Sequence, residues 1–269
     1  MSDREILAHA LEAARRAAIA GGAIVRRSFG RRLSAIEKRG ADLVTEVDLA
    51  AEEIIVAILR AAHPEFGVLS EERGASDIGS AYTWVVDPLD GTNNFVADIP
   101  QVGVSIALLR GDEALIGVVY QPIVETLWWA QRGTGAYRDG EVIHAPHAVE
   151  PRRAVVAWVQ GYPVPTETAT RYHHALQGRV KRLLTNWAPA LDWCLLAEGR
   201  IDALVSLDSE REDQAAGLLI AREAGAIVTD LSGRPITSET TRVLASGDAR
   251  LHEALRIILD GVSLHDRQI

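Results

Sequence analysis

Cysteine, methionine, lysine and phenylalanine are all scarce in this 269-residue chain. Cys194 is the single cysteine, so an intrachain disulfide and a cysteine-based zinc site are both excluded. Lysine occurs only at 38 and 181 and arginine supplies the remaining positive charge, a bias that reflects GC-rich codons and says nothing of mechanism. Clustered basic residues are lacking too. The 28 Lys and Arg face 37 Asp and Glu, for a net charge of -9, which argues against a surface for the phosphate backbone of nucleic acid. No apolar run approaches the roughly 18 to 20 residues that a membrane-spanning helix needs. The charged start Met1-Ser2-Asp3-Arg4-Glu5 is unlike the apolar core of a signal peptide. A cytoplasmic protein with neither membrane nor nucleic acid as partner is expected.

What the chain does have is an ordinary globular composition, with 48% hydrophobic and 24% charged residues, enough for one large domain or two modest ones. Apolar residues at helical spacing predict a long amphipathic helix over 3–29 and a second over 48–62, ended by His63-Pro64. A strand over 66–70 delivers Glu71-Glu72. Strands follow at 82–86, stopped by Asp87-Pro88, then at 102–110 and 115–120 around the turn Gly111-Asp112, and at 126–130. That half reads as α+β. From 154 onward strands and helices alternate, with helices at 166–178, 188–199, 213–224 and 248–260 and strands at 154–159, 181–185, 202–206, 226–229 and 242–246, an α/β pattern. Pro146 and Pro151 mark the change, which divides the chain into subdomains 1–146 and 147–269 packed closely together.

The segment Trp84-Val-Val-Asp87-Pro-Leu-Asp90-Gly-Thr92 ends an apolar strand in two carboxylates. Pro88 fixes the bend between them, and the Leu89 carbonyl offers a third hard oxygen of the kind magnesium prefers. Gly91-Thr92 then opens a helical turn whose amides suit a phosphate. Taken singly, each piece has a plainer reading: Asp-Pro and Asp-Gly describe surface turns, Glu71-Glu72 a solvated pair, Asp48 and Asp213 helix caps, and His173-His174 a helix surface. The negative charge is compatible with a phosphorylated small molecule, because bound divalent cations reverse the sign of a carboxylate-lined cleft.

The pieces occur together, however, in a particular order. The segments 41–48 (Ala41-Asp-Leu-Val-Thr-Glu-Val-Asp48), Ser70-Glu71-Glu72, 84–95, Gly199-Arg-Ile-Asp-Ala203, Glu212-Asp213-Gln-Ala-Ala-Gly217 and Glu223-Ala-Gly-Ala226 resemble the inositol monophosphatase family of lithium-sensitive, magnesium-dependent phosphatases, over roughly residues 5 to 258. The resemblance implies a layered α-β-α-β-α sandwich, with an α+β N-terminal half and an α/β C-terminal half. It implies two to three Mg2+ ions, Mn2+ being a substitute. Glu71, Asp87 and the Leu89 carbonyl would hold the first ion, and Asp87, Asp90 and Asp213 the second; a third, weaker one would lie near Glu71. Thr92 and Asp48 would polarise the attacking water, and the Gly91 and Thr92 amides would hold phosphate oxygens. A homodimer is implied as well.

Departures from the family pattern gather on the alcohol side of the site. Glu212 stands where Trp is usual, Ser206 replaces a glutamate that contacts inositol hydroxyls, and Asn186-Trp187 replaces a loop of small residues. With Asn93, these four positions are the expected substrate contacts. The expected function is Mg2+-dependent hydrolysis of a small phosphomonoester, first of all a cyclitol, aminocyclitol or sugar phosphate. Histidinol phosphate, fructose 1,6-bisphosphate and nucleoside phosphates are the alternative substrates, Asn93-Asn94 standing where the adenosine 3',5'-bisphosphate branch has Lys-Glu. A catalytically quiet metal- or phosphate-binding regulatory module is the alternative of another class.

Overall fold

The computed structural model describes residues 2–31, 35–37, 43–76, 79–146, 149–237 and 240–266, with the backbone alone at 35, 37 and 263–266. Ala41 and Asp42 of the segment 41–48 therefore lie outside the described residues. Helix α1 (Asp3–Ser28) begins in a reciprocal cap between Ser2 and Glu5. Strands β1 (Ala35–Glu37) and β2 (Leu43–Thr45) form a small hairpin that leads into α2 (Glu46–Ala62). Thr45 caps α2 and Asp48 returns the bond from the third helical position, so Asp48 is part of the cap without being the capping residue.

Next come β3 (Gly67–Ser70), β4 (Gly74–Ser76), β5 (Thr83–Asp90), the short helix α3 (Thr92–Val96), β6 (Gly103–Arg110), β7 (Glu113–Gln121), β8 (Thr126–Gln131), β9 (Ala136–Arg138) and β10 (Glu141–Ile143). Strands β3 to β10 make one eight-stranded sheet in the order β10-β9-β8-β7-β6-β5-β3-β4, antiparallel throughout except where β3 runs parallel to β5. The remaining elements are β11 (Val155–Gln160), α4 (Thr166–Leu176), β12 (Arg182–Leu184), α5 (Pro189–Ala197), β13 (Ala203–Leu207), α6 (Arg211–Glu223), β14 (Ile227–Asp230), β15 (Arg242–Ser246) and α7 (Ala249–Asp266). Their strands form a five-stranded sheet, β12-β11-β13-β15-β14, whose first three strands are parallel.

Period-two burial explains the layering. On the first sheet Trp84, Val86, Ile106, Leu108 and Val118 pack under α1 and α2, where Ala10, Ala14, Ala17 and Ala18 let the helix come close. The alternate residues Val85, Ala107 and Val119 face the opposite way, into a cluster with Trp193 of α5 and Ile220 of α6. That same cluster contains Ala157, Leu204 and Ala245 of the second sheet, whose other face buries Val156, Val205 and Leu244 against α4 and α7. The order of layers is helix, sheet, helix, sheet, helix. The fold is the α-β-α-β-α sandwich that the sequence resemblance implied.

Two sequence readings change. Strand β5 does not stop at Asp87 but runs on to Asp90, and its register against β6 shifts: Asp87 pairs with Ser105 while Asp90 pairs with Gly103. Ser105 and Gly103 are two apart and share a face, so Asp87 and Asp90, three apart, share it as well. The extra residue is a β-bulge, the place where a strand tolerates Pro88. Helix α6 begins at Arg211, with Glu210 at its cap position, so Asp213 sits inside the first turn and is not a cap.

Candidate active site

Because β3 and β5 are parallel and Ser70 pairs with Val86, the residues that follow them, Glu71 and Asp87, emerge side by side at the carboxyl ends of the strands. The buried Glu52 of α2 secures that corner. Its Oε1 accepts from Ser70 Oγ at 2.9 Å and its Oε2 from the Glu72 amide at 3.1 Å. After Asp87, the Leu89 amide donates back to Asp87 Oδ1 at 2.9 Å and tightens the bulge. Asp90 Oδ2 then accepts from the Ala190 amide at 3.1 Å, in the first turn of α5, so the positive end of that helix faces a carboxylate. Gly91 follows at φ 88, where a Cβ would lie 2.8 Å from the Gln101 carbonyl oxygen and 3.1 Å from that of Trp187; only glycine fits both the conformation and the space.

Asp48 is fully buried and its oxygens are divided between two threonines. Oδ2 accepts from the Thr45 amide at 2.8 Å and from its hydroxyl, and Oδ1 lies 3.0 Å from Thr92 Oγ1. Thr92 Oγ1 is also 3.0 Å from the Leu89 carbonyl oxygen. On the opposite wall Asp213 accepts from Ser209 Oγ at 3.1 Å, and Gln214 ties down the Ser209 carbonyl at 2.9 Å. Glu71, Asp87, Leu89, Asp90, Gly91, Thr92, Asn93, Trp187 and Asp213 thus line one narrow cleft of about 90 Å³.

The electrostatics of this cleft are unbalanced. Burial pushes the Asp87 and Asp90 carboxyls well above the usual range, and the neighbouring charges of Glu71, Asp90 and Asp213 raise Asp87 further. Asp213, enclosed by protein though open to the cleft, is pushed up to about 8, by burial first and then by Glu71 and Glu210. Burial also raises Asp48, against the lowering effect of its threonine bonds. Among the described residues, no three His, Cys, Asp or Glu side chains close on a point as a finished metal cage. The carboxylates line an open cleft instead, which suits a hard dication that keeps waters and takes substrate oxygens. Five lining acids, Glu71, Asp87, Asp90, Glu210 and Asp213, and the Leu89 carbonyl, with no lining cation among the described residues, fit magnesium in charge and in donor type.

A pH dependence follows from these shifts. Folded-state values above the unfolded 3.8 mean that the native protein binds more protons than the unfolded chain, so stability falls as pH rises from about 4 to about 8. In EDTA, the melting temperature should drop between pH 5 and pH 8, and MgCl2 should raise it more at pH 8 than at pH 5. A flat or rising profile in EDTA would contradict the clustering.

Three expected substrate contacts are not brought to the cleft. Ser206 is completely buried because, like Leu204, it points from β13 into the middle layer. Glu212 is not among the residues that line the cleft, and its carbonyl accepts from Ser105 Oγ at 3.2 Å. Asn186 turns inward to bond Asp192, a buried carboxyl pushed up to about 7 by desolvation. Asn93 does reach the cleft and donates to the Tyr162 hydroxyl at 2.7 Å. Trp187, at φ 58 and more than half exposed, stands at the mouth. Sequence reading missed Glu52, Asp192, Glu210, Gln160, Gly161 and Tyr162. Glu210 and the run 160–162 had one available signal, their position beyond the end of β13 and at the end of β11, on the carboxyl edge where open sheets bind ligands.

The protein is a five-layer sandwich with a carboxylate-lined cleft where its two sheets converge. The model of the inositol monophosphatase family matches residues 6–261, and the chain belongs to that family. It is 34% identical to the fructose-1,6-bisphosphatase/inositol-1-monophosphatase of Aquifex aeolicus, over 90% of this chain and 92% of the relative. It is also 34% identical to a protein of Pseudomonas aeruginosa named Nus factor SuhB, over 91% of this chain and 93% of the relative. Among solved structures, the extragenic suppressor protein suhB of Bartonella henselae superposes with a TM-score of 0.85 at 32% identity, covering 91% of this chain and 95% of that one. These likenesses support a phosphatase acting on a small phosphorylated compound, in a family that is generally metal-dependent. Among the described residues, no helix is long and apolar enough to cross a membrane.

Proposed function

We propose that the protein is a magnesium-dependent phosphomonoesterase whose substrate is the phosphate ester of a cyclitol, aminocyclitol or sugar. The observation that carries this reading is the cluster of Glu71, Asp87, Asp90 and Asp213 beside the Thr92–Asp48 pair. Glu71, Asp87 and the Leu89 carbonyl would hold one ion and Asp87, Asp90 and Asp213 another, Mn2+ substituting for Mg2+. Bound there, the ions supply an acidified water and charge neutralisation at the phosphate and the departing alkoxide. Thr92 Oγ1 commits its proton to Asp48 Oδ1, which leaves its lone pairs to align the attacking water. The proton that this water releases would pass to Thr92 Oγ1 as Thr92 gives its own proton to Asp48, whose raised proton affinity suits it to hold it. The Gly91 and Thr92 amides hold phosphate oxygens, and a new P–O bond forms as the bond to the alcohol breaks.

The alcohol needs more room than the cleft provides. A chamber of about 490 Å³ adjoins it, sharing Gln160, Gly161, Tyr162, Trp187 and Pro189 with the cleft and adding Trp158 and His173. His173, read from sequence as helix surface, is half-buried there, edge-on to Trp158 at 5.5 Å, while His174 is exposed. Faces of saturated rings pack well on indole and phenol planes, and Asn93 offers polar groups at the entrance. A homodimer in the cytoplasm completes the reading, and the net charge of -9 supports a small-molecule partner over a nucleic acid.

The test is phosphate release from a panel of cyclitol, aminocyclitol, sugar, histidinol and nucleoside phosphates with saturating MgCl2, ranked by kcat/KM. Ring polyol phosphates should lead, with lithium inhibiting. Fructose 1,6-bisphosphate, if used, should give a product that retains one phosphate. A silent panel together with calorimetric phosphate binding would replace the enzyme by a regulatory binding module. Trp187→Gly refines the test, because a bulky residue at positive φ is strained by roughly 1 to 3 kcal/mol. The variant should be more stable by about 1 kcal/mol, while KM for the best ring substrate rises roughly tenfold and kcat stays near wild type. Unchanged KM would remove Trp187 from substrate selection.

A further inference from the structure

A second cavity is larger than the acidic cleft. A groove of about 780 Å³ opens between the β6–β7 turn, α6 and Ile236, Thr237, Thr240, Thr241 and Val243. Its volume lies within the range of small-molecule sites. Its floor is apolar, formed by Leu218, Leu219, Ile236 and Val243, and its rim carries Arg110, Arg132, Arg211 and Arg222.

Among the described residues lining the groove, four arginines face three carboxylates, Asp112, Glu113 and Glu223, and Arg110 also meets Asp3 at 3.5 Å outside it. Asp112 is taken by Arg211 at 3.3 Å, and Glu113 by Arg132 at 2.7 Å and Arg110 at 3.7 Å. Glu223 spends both oxygens on the Gly133 and Gly135 amides, each at 2.9 Å. Among the described residues, Arg222 has no carboxylate partner, and the charged neighbour it does feel is Arg132, whose repulsion together with burial lowers its proton affinity. A pair of like charges over an apolar floor invites one anionic group between them, with an apolar body below.

We propose that this groove is a second ligand site, for a flat apolar or aromatic small molecule bearing one carboxylate, sulfonate or phosphate that bridges Arg132 and Arg222. Ser209 lines both this groove and the acidic cleft and donates to Asp213, so one residue separates the two cavities.

The probe is 1-anilinonaphthalene-8-sulfonate, compared with its neutral analogue N-phenyl-1-naphthylamine, each titrated by fluorescence into the magnesium-loaded protein. The sulfonate should bind at one site per chain, roughly tenfold tighter than the neutral analogue. In the double variant Arg132→Gln, Arg222→Gln that advantage should vanish while the neutral probe binds as before, which also shows that the groove has survived. Leu218→Glu, which puts a carboxylate in the floor, should weaken both probes. Equal affinities in the wild type, a sulfonate advantage that persists in the double variant, or binding of both probes undiminished by Leu218→Glu would each overturn the proposal.

Discussion

Asp90→Asn should reduce kcat/KM for phosphate release by roughly 10³-fold while raising the melting temperature of the metal-free protein. The two effects share one cause. Asp90 is buried among carboxylates, with Asp213 and Asp192 raising its proton affinity and only the α5 amides lowering it. Without a cation, that concentration of charge opposes folding, and an isosteric neutral amide relieves it. With the cation, the same charge is a ligand, and a loss of about 4 kcal/mol of charge stabilisation corresponds to about three powers of ten in rate. Differential scanning calorimetry in EDTA and in MgCl2, beside phosphate release, reads both signs. Normal turnover by Asp90→Asn would sink the proposed site. A lower metal-free melting temperature would show that Asp90 serves chiefly as the anchor for the Ala190 amide.

Gly117→Val should be strongly destabilising although it lies outside the cleft. Gly117 lies on β7 directly under α6, where an added Cβ would sit 2.5 Å from the Ala216 carbonyl oxygen and 3.0 Å from the Ala216 Cα. Both obstacles are backbone, so no rotamer change relieves them and the helix must lift from the sheet. The expected loss is about 3 kcal/mol or more, a fall of roughly 6 to 12 °C in melting temperature for a chain of this size. Asp213 is three residues before Ala216 on the same helix, so the magnesium-induced gain in melting temperature should shrink as well. Gly261→Ala is the control: nothing lies within 4 Å of its added carbon, and it should be neutral or slightly stabilising. Equal behaviour of the two variants would contradict the close contact of sheet and helix.

Much of this molecule was legible in the chain. Long periodic helices and alternating strands announced themselves because each buries one face, and 82–95 stood out because its strand ends in charge. Short strands such as β4, β9 and β10, three residues each, carry too few positions for a period to show. The extension of β5 was hidden by Pro88, which ends most strands and here occupies a bulge. Glu52 and Asp192 lie in helix sequences that look ordinary, and their importance arises from what the fold brings against them, the end of β3 and the side chain of Asn186. Ser206 shows the reverse. Its place in the sequence pointed to substrate, but strand alternation turns it into the middle layer, where its hydroxyl finds no partner among the described residues. Pocket composition was the least legible part, since Trp158, Tyr162 and Trp187 come from separate loops and strands that only tertiary packing unites.

The bulge in β5 makes the site a matter of counting. Residues on a strand alternate between two faces, so the parity of the spacing between Asp87 and Asp90 decides whether they meet or are separated by the thickness of the sheet. One inserted residue restores the match that an odd spacing would otherwise forbid. A lineage that deleted Pro88 and Leu89 together could keep both aspartates, most of the core and the whole fold, and still send one carboxylate to the wrong side. Inheritance of the chemistry therefore depends on the length of this segment as strictly as on its letters, which makes a gap at 88–89 a clearer mark of lost activity than many substitutions nearby.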